Sequence, residues 1–221
     1  MAIERKENKK YVFTVEGETE HWYFDWLQNE INSQEKSLYN VTIISEVQQS
    51  PRKYAKKVNP LATPIITHIC DYESNEQSDV IKFKNILSEL KDANSIKGKN
   101  LKYLLGYSNF TFELWMILHK QSCNSHLTNK TQYLRPINNA YGESFESLKQ
   151  YKEEVNFKRC LSKLTLDDVV CAINRSKRIM DCKVGDGEVP EQYKTFTYYK
   201  ENPALTIWKS VEGILKDCKL I

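Results

Sequence analysis

The feature that most constrains the fold is an alternation of short β-rich apolar segments with amphipathic segments along residues 11–119. Apolar and β-branched residues dominate four segments, which are the predicted strands: residues 11–15, 41–47, 64–70 and 101–106. Apolar residues recur every three to four positions in the predicted helices: residues 19–33, 79–92 and 112–119. Strands that alternate with helices form βαβ units, in which the strands run parallel. The sequence therefore predicts an α/β fold with a mainly parallel sheet flanked by helices.

The pattern changes beyond residue 119. Residues 120–145 are polar and turn-rich, and helices are predicted over residues 146–159, 166–182 and 203–218, with a loop at 185–187. We therefore expect the α/β core to cover residues 1–120 and a mostly helical C-terminal extension to cover residues 121–221. The extension is either a small second domain or a cap on the sheet, and the helical pattern allows both.

Composition excludes several classes of protein. The chain has 221 residues, of which 40% are hydrophobic and 28% charged, values typical of a globular protein and not of a disordered one. No run approaches the roughly 20 apolar residues of a membrane span, and residues 1–10 lack the apolar stretch of a signal peptide. The six cysteines show no CxxC spacing, which favours reduced thiols over disulfides or a zinc site. We expect a cytoplasmic protein without membrane association.

Acidic side chains follow two of the predicted strands. Glu16 follows the first strand, and Asp71 and Glu73 follow the third. Asp71 and Glu73 are two residues apart, so in an extended chain their side chains point the same way. Ligands of an open parallel sheet bind beyond the carboxyl ends of its strands. Three carboxylates at one edge repel unless a cation neutralises them, and oxygen ligands suit Mg²⁺ or Mn²⁺. The sequence therefore predicts a metal site at Glu16, Asp71 and Glu73.

Four further residues are candidates on weaker grounds. The segment 112–119 is apolar on nearly every face, so Glu113 is predicted to be buried, where a carboxylate is costly unless it is paired or bound. Glu113 either supports the metal site as a catalytic residue or is stabilised by backbone N–H groups and the helix dipole. Glu20 lies in a first helical turn, a position that favours acids in any case. His119 is better explained as a packed residue than as a base, and Lys200 as a surface lysine than as a phosphate ligand.

Three motifs in the chain resemble those of RloB-like proteins, which are related to the AbiL abortive-infection component. Residues 15–20 read Val-Glu-Gly-Glu-Thr-Glu, followed by Tyr23 and Phe24, and resemble the first family motif. Residues 108–115 read Ser-Asn-Phe-Thr-Phe-Glu-Leu-Trp and resemble the signature Ser-Asn-Pro-Cys-Phe-Glu-Leu-Trp. Residues 202–203, Asn-Pro, with the helix after them resemble the C-terminal motif. The resemblance spans nearly the whole chain.

The resemblance implies a Toprim fold over residues 1–120, with Glu16 as its glutamate and with Asp71 and Glu73 as the acids of its Asp-x-Asp motif. It also implies a Mg²⁺-dependent nuclease that acts in bacterial anti-phage defence beside an AAA- or ABC-type ATPase. The chain departs from the family pattern in two places. Glu73 stands where the motif has its second Asp, and Phe110 and Thr111 stand where the signature has Pro and Cys.

Nucleic acid is the expected partner. Basic clusters occur at residues 5–10, 52–57, 175–178 and 194–200, and tyrosines adjoin some of them, although solvated helix faces explain each cluster alone. A net charge of +3 gives only weak electrostatic attraction to a long duplex. We therefore expect RNA, tRNA included, as the substrate slightly ahead of DNA. Two alternatives stay open: a non-catalytic binding or sensor subunit, and a nucleotidyl- or phosphotransferase. The chain has no GxxxxGK[ST] loop, which argues against ATP hydrolysis of the P-loop type.

Overall fold

The computed structural model describes residues 6–221 and is organised around a five-stranded sheet. The strands are β1 (Asn8–Val15), β2 (Asn40–Val47), β3 (Ile65–Tyr72), β4 (Lys102–Asn109), β5 (Glu191–Tyr193), β6 (Phe196–Tyr198) and β7 (Ala204–Leu205). The sheet order is β2-β1-β3-β4-β7, with β1 to β4 parallel and β7 antiparallel to β4. Strands β5 and β6 form a separate hairpin. The predicted α/β fold is confirmed, and the architecture is consistent with a Toprim-like fold.

Helices cover both faces of this sheet. They are α1 (Glu18–Asn32), α2 (Pro51–Lys57), α3 (Gln77–Asn94), α4 (Glu113–Lys120), α5 (Leu134–Tyr141), α6 (Leu148–Tyr151), α7 (Glu154–Leu161), α8 (Leu166–Gly185) and α9 (Ile207–Asp217), with a 3₁₀ turn at Lys130–Tyr133. In the part of the chain that the structure describes, no helix combines the length and apolar character that crossing a membrane requires.

The central strands bury both of their faces, because successive side chains of a strand point to opposite sides. Phe13 and Ile69 belong to one buried cluster with residues of α1, α4 and α9. Ile66 and Tyr103 belong to a second cluster on the other face, with residues of α3. Strands buried in this way read as nearly continuous apolar runs, which is why the sequence pattern predicts them.

The order of the strands creates a crevice between β1 and β3. From β1 the chain passes to β2 on one side and then returns to β3 on the opposite side of β1. In an open α/β sheet, the carboxyl ends of the two strands at such a reversal diverge and leave a ligand-binding crevice. Glu16 directly follows β1, and Asp71 is the penultimate residue of β3, so both residues lie at this edge of the sheet.

Several element boundaries differ from the sequence prediction. The helix predicted over residues 19–33, which Thr19 could cap, begins instead at Glu18 with Gly17 as its N-cap. The Thr19 hydroxyl donates to Glu20 Oε2 at 2.9 Å. The third and fourth strands extend two and three residues further than predicted, to Tyr72 and Asn109. Ile81 belongs to the apolar pattern that predicts the helix over residues 79–92, yet it is 51% exposed.

The C-terminal part differs more. Helix α5 forms within the segment predicted to be turns, the predicted helix 146–159 is divided into α6 and α7, and the hairpin β5–β6 was not predicted. Residues 204–205 form β7 ahead of α9, and they pair with Ser108 and Asn109 of β4. The C-terminal part therefore adds a strand to the sheet. All six cysteines lie in the described residues and have free thiols, and four of them are buried.

Candidate metal centre

A cleft of about 560 Å³ opens at the carboxyl ends of β1 and β3. Its lining is rich in charge of both signs: the acids are Glu16, Glu18, Glu20, Asp71 and Glu73, and the lysines are Lys82, Lys130, Lys149 and Lys152. The structure thus brings the three predicted metal ligands, Glu16, Asp71 and Glu73, to one cavity. It lies at the crevice that the strand order creates.

Glu16 and Asp71 are joined across the two neighbouring strands. Glu16 Oε2 accepts a hydrogen bond from the backbone N–H of Asp71 at 3.0 Å, which fixes the glutamate beside the end of β3. The Asp71 Oδ1 atom is buried and has no hydrogen-bond partner. Burial, and then the negative charges of Glu20 and Glu16, raise the pKa of Asp71 well above its usual range. Burial also raises the pKa of Glu16, although the Asp71 N–H opposes this shift. This pair holds negative charge at an energetic cost.

Two further carboxylates are buried close to this pair. Glu20 is 5% exposed, and burial raises its pKa despite hydrogen bonds from its own backbone N–H and from the Thr19 hydroxyl. Glu113 is fully buried at the first residue of α4, as predicted, and accepts a hydrogen bond from the Thr111 hydroxyl. Lys152 Nζ lies 3.0 Å from Glu113 Oε1. Thr111 and Lys152 both line the cleft, so Glu113 adjoins it through them.

Glu73 lines the cleft, but both of its oxygens are engaged by lysines. Oε1 accepts a hydrogen bond from Lys82, and Oε2 accepts one from Lys130 at 2.5 Å. Partial burial favours the neutral acid, but the hydrogen bonds from Lys130 and Lys82 outweigh it and lower the pKa of Glu73 to about 2. Among the three predicted ligands, Glu73 is therefore the acid whose negative charge is most fully offset by neighbouring positive charge.

Three of the four weaker candidates are outside the lining of the cleft: Glu113, which adjoins it, and His119 and Lys200. His119 is buried between aromatic rings, with Nδ1 2.9 Å from the Trp115 carbonyl oxygen and Nε2 3.2 Å from the Tyr23 hydroxyl. Burial lowers the pKa of His119 to about 4, so it is a neutral, packed side chain. Lys200 forms an ion pair with Glu191 at 2.8 Å and does not line the cleft.

The lysines of the cleft are not those that the sequence analysis singled out. The described residues of the basic clusters at 5–10, 52–57, 175–178 and 194–200 are absent from its lining, and Arg5 lies outside the described residues. Lys82, Lys130, Lys149 and Lys152 line it instead. They are scattered over three segments of the chain, so no local sequence signal marks them. Thr111 could have been found, because it lies within the signature segment 108–115.

The donor chemistry of the cleft suits a divalent metal ion. Carboxylate oxygens are the ligands that Mg²⁺ and Mn²⁺ prefer, and Asp71 Oδ1 is a buried oxygen without a partner. Within residues 6–221, however, no three His, Cys, Asp or Glu side chains already surround one ion position. Lysines hold Glu73 and Glu113, so Glu16 and Asp71 are the pair best placed to receive an ion.

Comparison with known proteins adds one finding. A family model described as RloB-like protein matches residues 11–214, which cover most of the chain and all of the cleft lining. No curated protein and no solved structure matches the chain.

Proposed function

The chain belongs to the RloB-like family, and from this premise and the acidic cleft we propose that it is a Mg²⁺-dependent nuclease of the Toprim type. The observation that carries the proposal is the buried, unpartnered Asp71 Oδ1 beside Glu16. A buried carboxylate without a partner is costly, and such costs are typical of active sites.

The side chains have distinct roles in this proposal. Glu16 and Asp71 would hold Mg²⁺ or Mn²⁺, and Glu73 and Glu113 stand beside them with lysine partners. A bound divalent ion supplies a low-pKa water and positive charge for the phosphoryl oxygens. The Asp71 N–H holds Glu16 in place, and the Thr111 hydroxyl holds Glu113. The cleft lysines offset the repulsion between these acids and a polyanionic substrate.

The proposed setting is bacterial anti-phage defence, in the cytoplasm and beside an AAA- or ABC-type ATPase partner. The proposed substrate is nucleic acid, with RNA, tRNA included, slightly ahead of DNA. A cleft that carries acids together with a few lysines gives local contacts to phosphate and not the broad basic surface that long-duplex binding uses.

The test is cleavage of RNA and DNA by the purified chain with Mg²⁺ or Mn²⁺. Glu16→Gln and Asp71→Asn should each lower the rate by at least about 100-fold, because loss of a ligand costs more than the loss of an outer partner. Asp25→Asn, an exposed acid of α1 outside the cleft lining, is the matched control and should leave the rate unchanged. Cleavage that survives both cleft variants would contradict the proposal.

The need for a partner is tested in cells. The chain is expressed with its genomic neighbour, and RNA ends and DNA breaks are sequenced in parallel. New RNA ends that disappear with Asp71→Asn are the expected result. Chromosome breaks without new RNA ends would reverse the substrate preference and leave the proposed metal site unchanged.

A second candidate is a non-catalytic binding subunit. It is favoured by the ion pairs of Glu73 and Glu113, since lysines already compensate these acids without a metal ion. Titration with Mn²⁺ discriminates the two functions. Absence of both metal binding and cleavage would favour the binding subunit.

A further inference from the structure

Glu73 differs from the other predicted ligands in the partners of its oxygens. Both oxygens accept hydrogen bonds from ammonium groups, one from Lys82 and the other from Lys130. Asp71 Oδ1, two residues earlier, has no partner at all. A metal ligand must direct a lone pair to the ion, and the ammonium groups beside both Glu73 oxygens place positive charge where that cation would have to bind. Building on the proposed function, we propose that Lys82 and Lys130 form a clamp for a backbone phosphate of the nucleic acid, with Glu73 as their shared anchor and not as a metal ligand.

The clamp joins parts of the chain that are distant in sequence. Lys82 lies on α3, and Lys130 is the first residue of the 3₁₀ turn, 57 residues beyond Glu73. The side chains of Asn129 and Gln132 form a capping box around this turn, which fixes the start of the segment that carries Lys130. Two ammonium groups held near one another repel, and a carboxylate between them offsets that repulsion.

The clamp keeps donors free for a ligand. The side chains of Lys82 and Lys130 are 52% and 50% exposed, whereas that of Glu73 is 23% exposed. An ammonium group has three donors, and one donor of each lysine is used by Glu73, so two on each remain. Two ammonium groups and one carboxylate leave a single net positive charge. A phosphodiester offers a single negative charge and two non-bridging oxygens, which matches this arrangement.

The clamp lies in the same cleft as the acids that are proposed to bind the metal ion. Lys82, Lys130 and Glu73 line the same cleft as Glu16 and Asp71. The acids alone would repel a nucleic-acid backbone, and the clamp provides positive charge at their side. A phosphate held there lies within the cavity in which the proposed hydrolysis takes place.

The first test separates metal binding from phosphate binding. Mn²⁺ is titrated into the full chain, and free Mn²⁺ is followed by electron paramagnetic resonance. Glu73→Gln should keep the Mn²⁺ affinity within about threefold of the wild type, because the negative charge that it removes is already offset by Lys82 and Lys130. Asp71→Asn should weaken it by at least about tenfold. An equal loss in both variants would show that Glu73 is a ligand and overturn the inference.

The second test uses a labelled single-stranded oligonucleotide in the presence of EDTA, with binding followed by fluorescence anisotropy at several salt concentrations. The double variant Lys82→Ala/Lys130→Ala should bind about tenfold more weakly, the value of a lost charged hydrogen bond. Its salt dependence should flatten by roughly 0.7 in logarithmic slope, as expected for one lost phosphate contact. The conservative double variant to arginine should retain binding. Unchanged affinity and slope in the alanine variant would overturn the inference.

A matched control exists outside the cleft. Glu46 and Lys57 form an exposed ion pair at 3.4 Å, and neither residue lines the cleft. Glu46→Gln changes the net charge by the same amount as Glu73→Gln, and Lys57→Ala removes one of the two positive charges that the double alanine variant removes. Both control variants should leave both measurements at the wild-type values. A control that shifts binding as much as the clamp variant would attribute the effect to net charge and overturn the inference.

The role of Glu73 as an anchor is tested by kinetics. Glu73→Gln should raise KM and keep kcat within about threefold, whereas loss of a catalytic ligand lowers kcat. A kcat loss as large as that of Asp71→Asn would overturn the inference. A wild-type chain that binds no Mn²⁺ and cleaves nothing would refute the proposed nuclease, and the oligonucleotide measurement would then decide the clamp by itself.

Discussion

At the scale of single residues, Asp71 is the point at which stability and the proposed chemistry conflict. Its Oδ1 atom is buried without a partner, and Glu16 and Glu20 contribute negative charge around it. An ordinary structural carboxylate would have donors to both oxygens. The absence of a donor costs folding free energy and leaves the atom available to a cation. Glu73 shows the opposite arrangement, with a lysine at each oxygen.

We predict that Asp71→Asn raises the melting temperature of the metal-free chain at neutral pH. In the wild type, the raised pKa of Asp71 means that the folded state keeps a proton that the unfolded state releases above its ordinary pKa of 3.8. Stability therefore declines as pH rises from 3.8 through the raised pKa, and the variant lacks this loss. Each kcal/mol regained corresponds to about 2–4 °C in a chain of this size.

The measurement is calorimetry in EDTA over a range of acidic to neutral pH. The difference in melting temperature between variant and wild type should disappear below pH 3.8, where Asp71 is protonated in both the folded and the unfolded state. Asp25→Asn serves as the control on an exposed acid. A gap that is the same at every pH would mean that the charge of Asp71 is not its cause.

At the scale of elements, α4 is stabilised by contacts with neighbouring elements. Its residues from Glu113 to His119 are all buried, and at its C-terminal end the guanidinium of Arg175, on α8, donates to the carbonyl oxygens of Leu118 and His119 at 2.6 and 2.9 Å. The last carbonyls of a helix have no partner within the helix. Arg175 supplies that partner, so the basic cluster 175–178 contributes to structure at this residue.

We predict that Arg175→Ala destabilises the fold by about 1–3 kcal/mol, because two carbonyl groups lose a charged donor. The melting temperature should fall by roughly 2–4 °C for each kcal/mol, with Mn²⁺ affinity unchanged. Arg178→Ala is the control, since Arg178 is exposed on the same helix and exposed substitutions usually change stability by less than about 0.5 kcal/mol. Equal effects of the two substitutions would contradict the proposed capping role.

At the scale of the whole molecule, the C-terminal part completes the sheet and the core. Strand β7 covers the edge of β4, and α9 packs on the same face as α1. Helix α4 lies against α8, and its residues share one buried cluster with Leu205 and Ile207. Removing residues 121–221 would expose α4 and leave the edge of β4 unpaired, and such edges promote aggregation.

We predict that a fragment of residues 1–120 does not unfold cooperatively and aggregates, whereas the full chain unfolds in one transition. Circular dichroism during thermal melting, with size-exclusion chromatography, measures both properties. Co-expression of residues 121–221 should restore a soluble complex if the two parts share a core. A monomeric fragment 1–120 with a sharp transition would show that the α/β core is an independent domain.

The sequence by itself predicted the features that depend on local pattern. Strands β1 to β4 and their order along the chain follow from apolar runs, because a strand buried on both faces contains few polar residues. Burial of Glu113 follows from the apolar faces of its helix. Glu16 and Asp71 come together because parallel strands bring their carboxyl ends to one edge. These inferences need only periodicity and one rule of topology.

Only the tertiary structure decided which charges meet. Lys130 reaches Glu73 across 57 residues, and Lys152 reaches Glu113 across a turn and three helices, so neither ion pair has a local signature. The same holds for β7, whose two residues become a strand because β4 offers an unpaired edge. A periodic pattern reports whether a segment is buried, and it carries no information about which distant side chain its charged residues will face. The partners of the cleft acids were therefore set by packing.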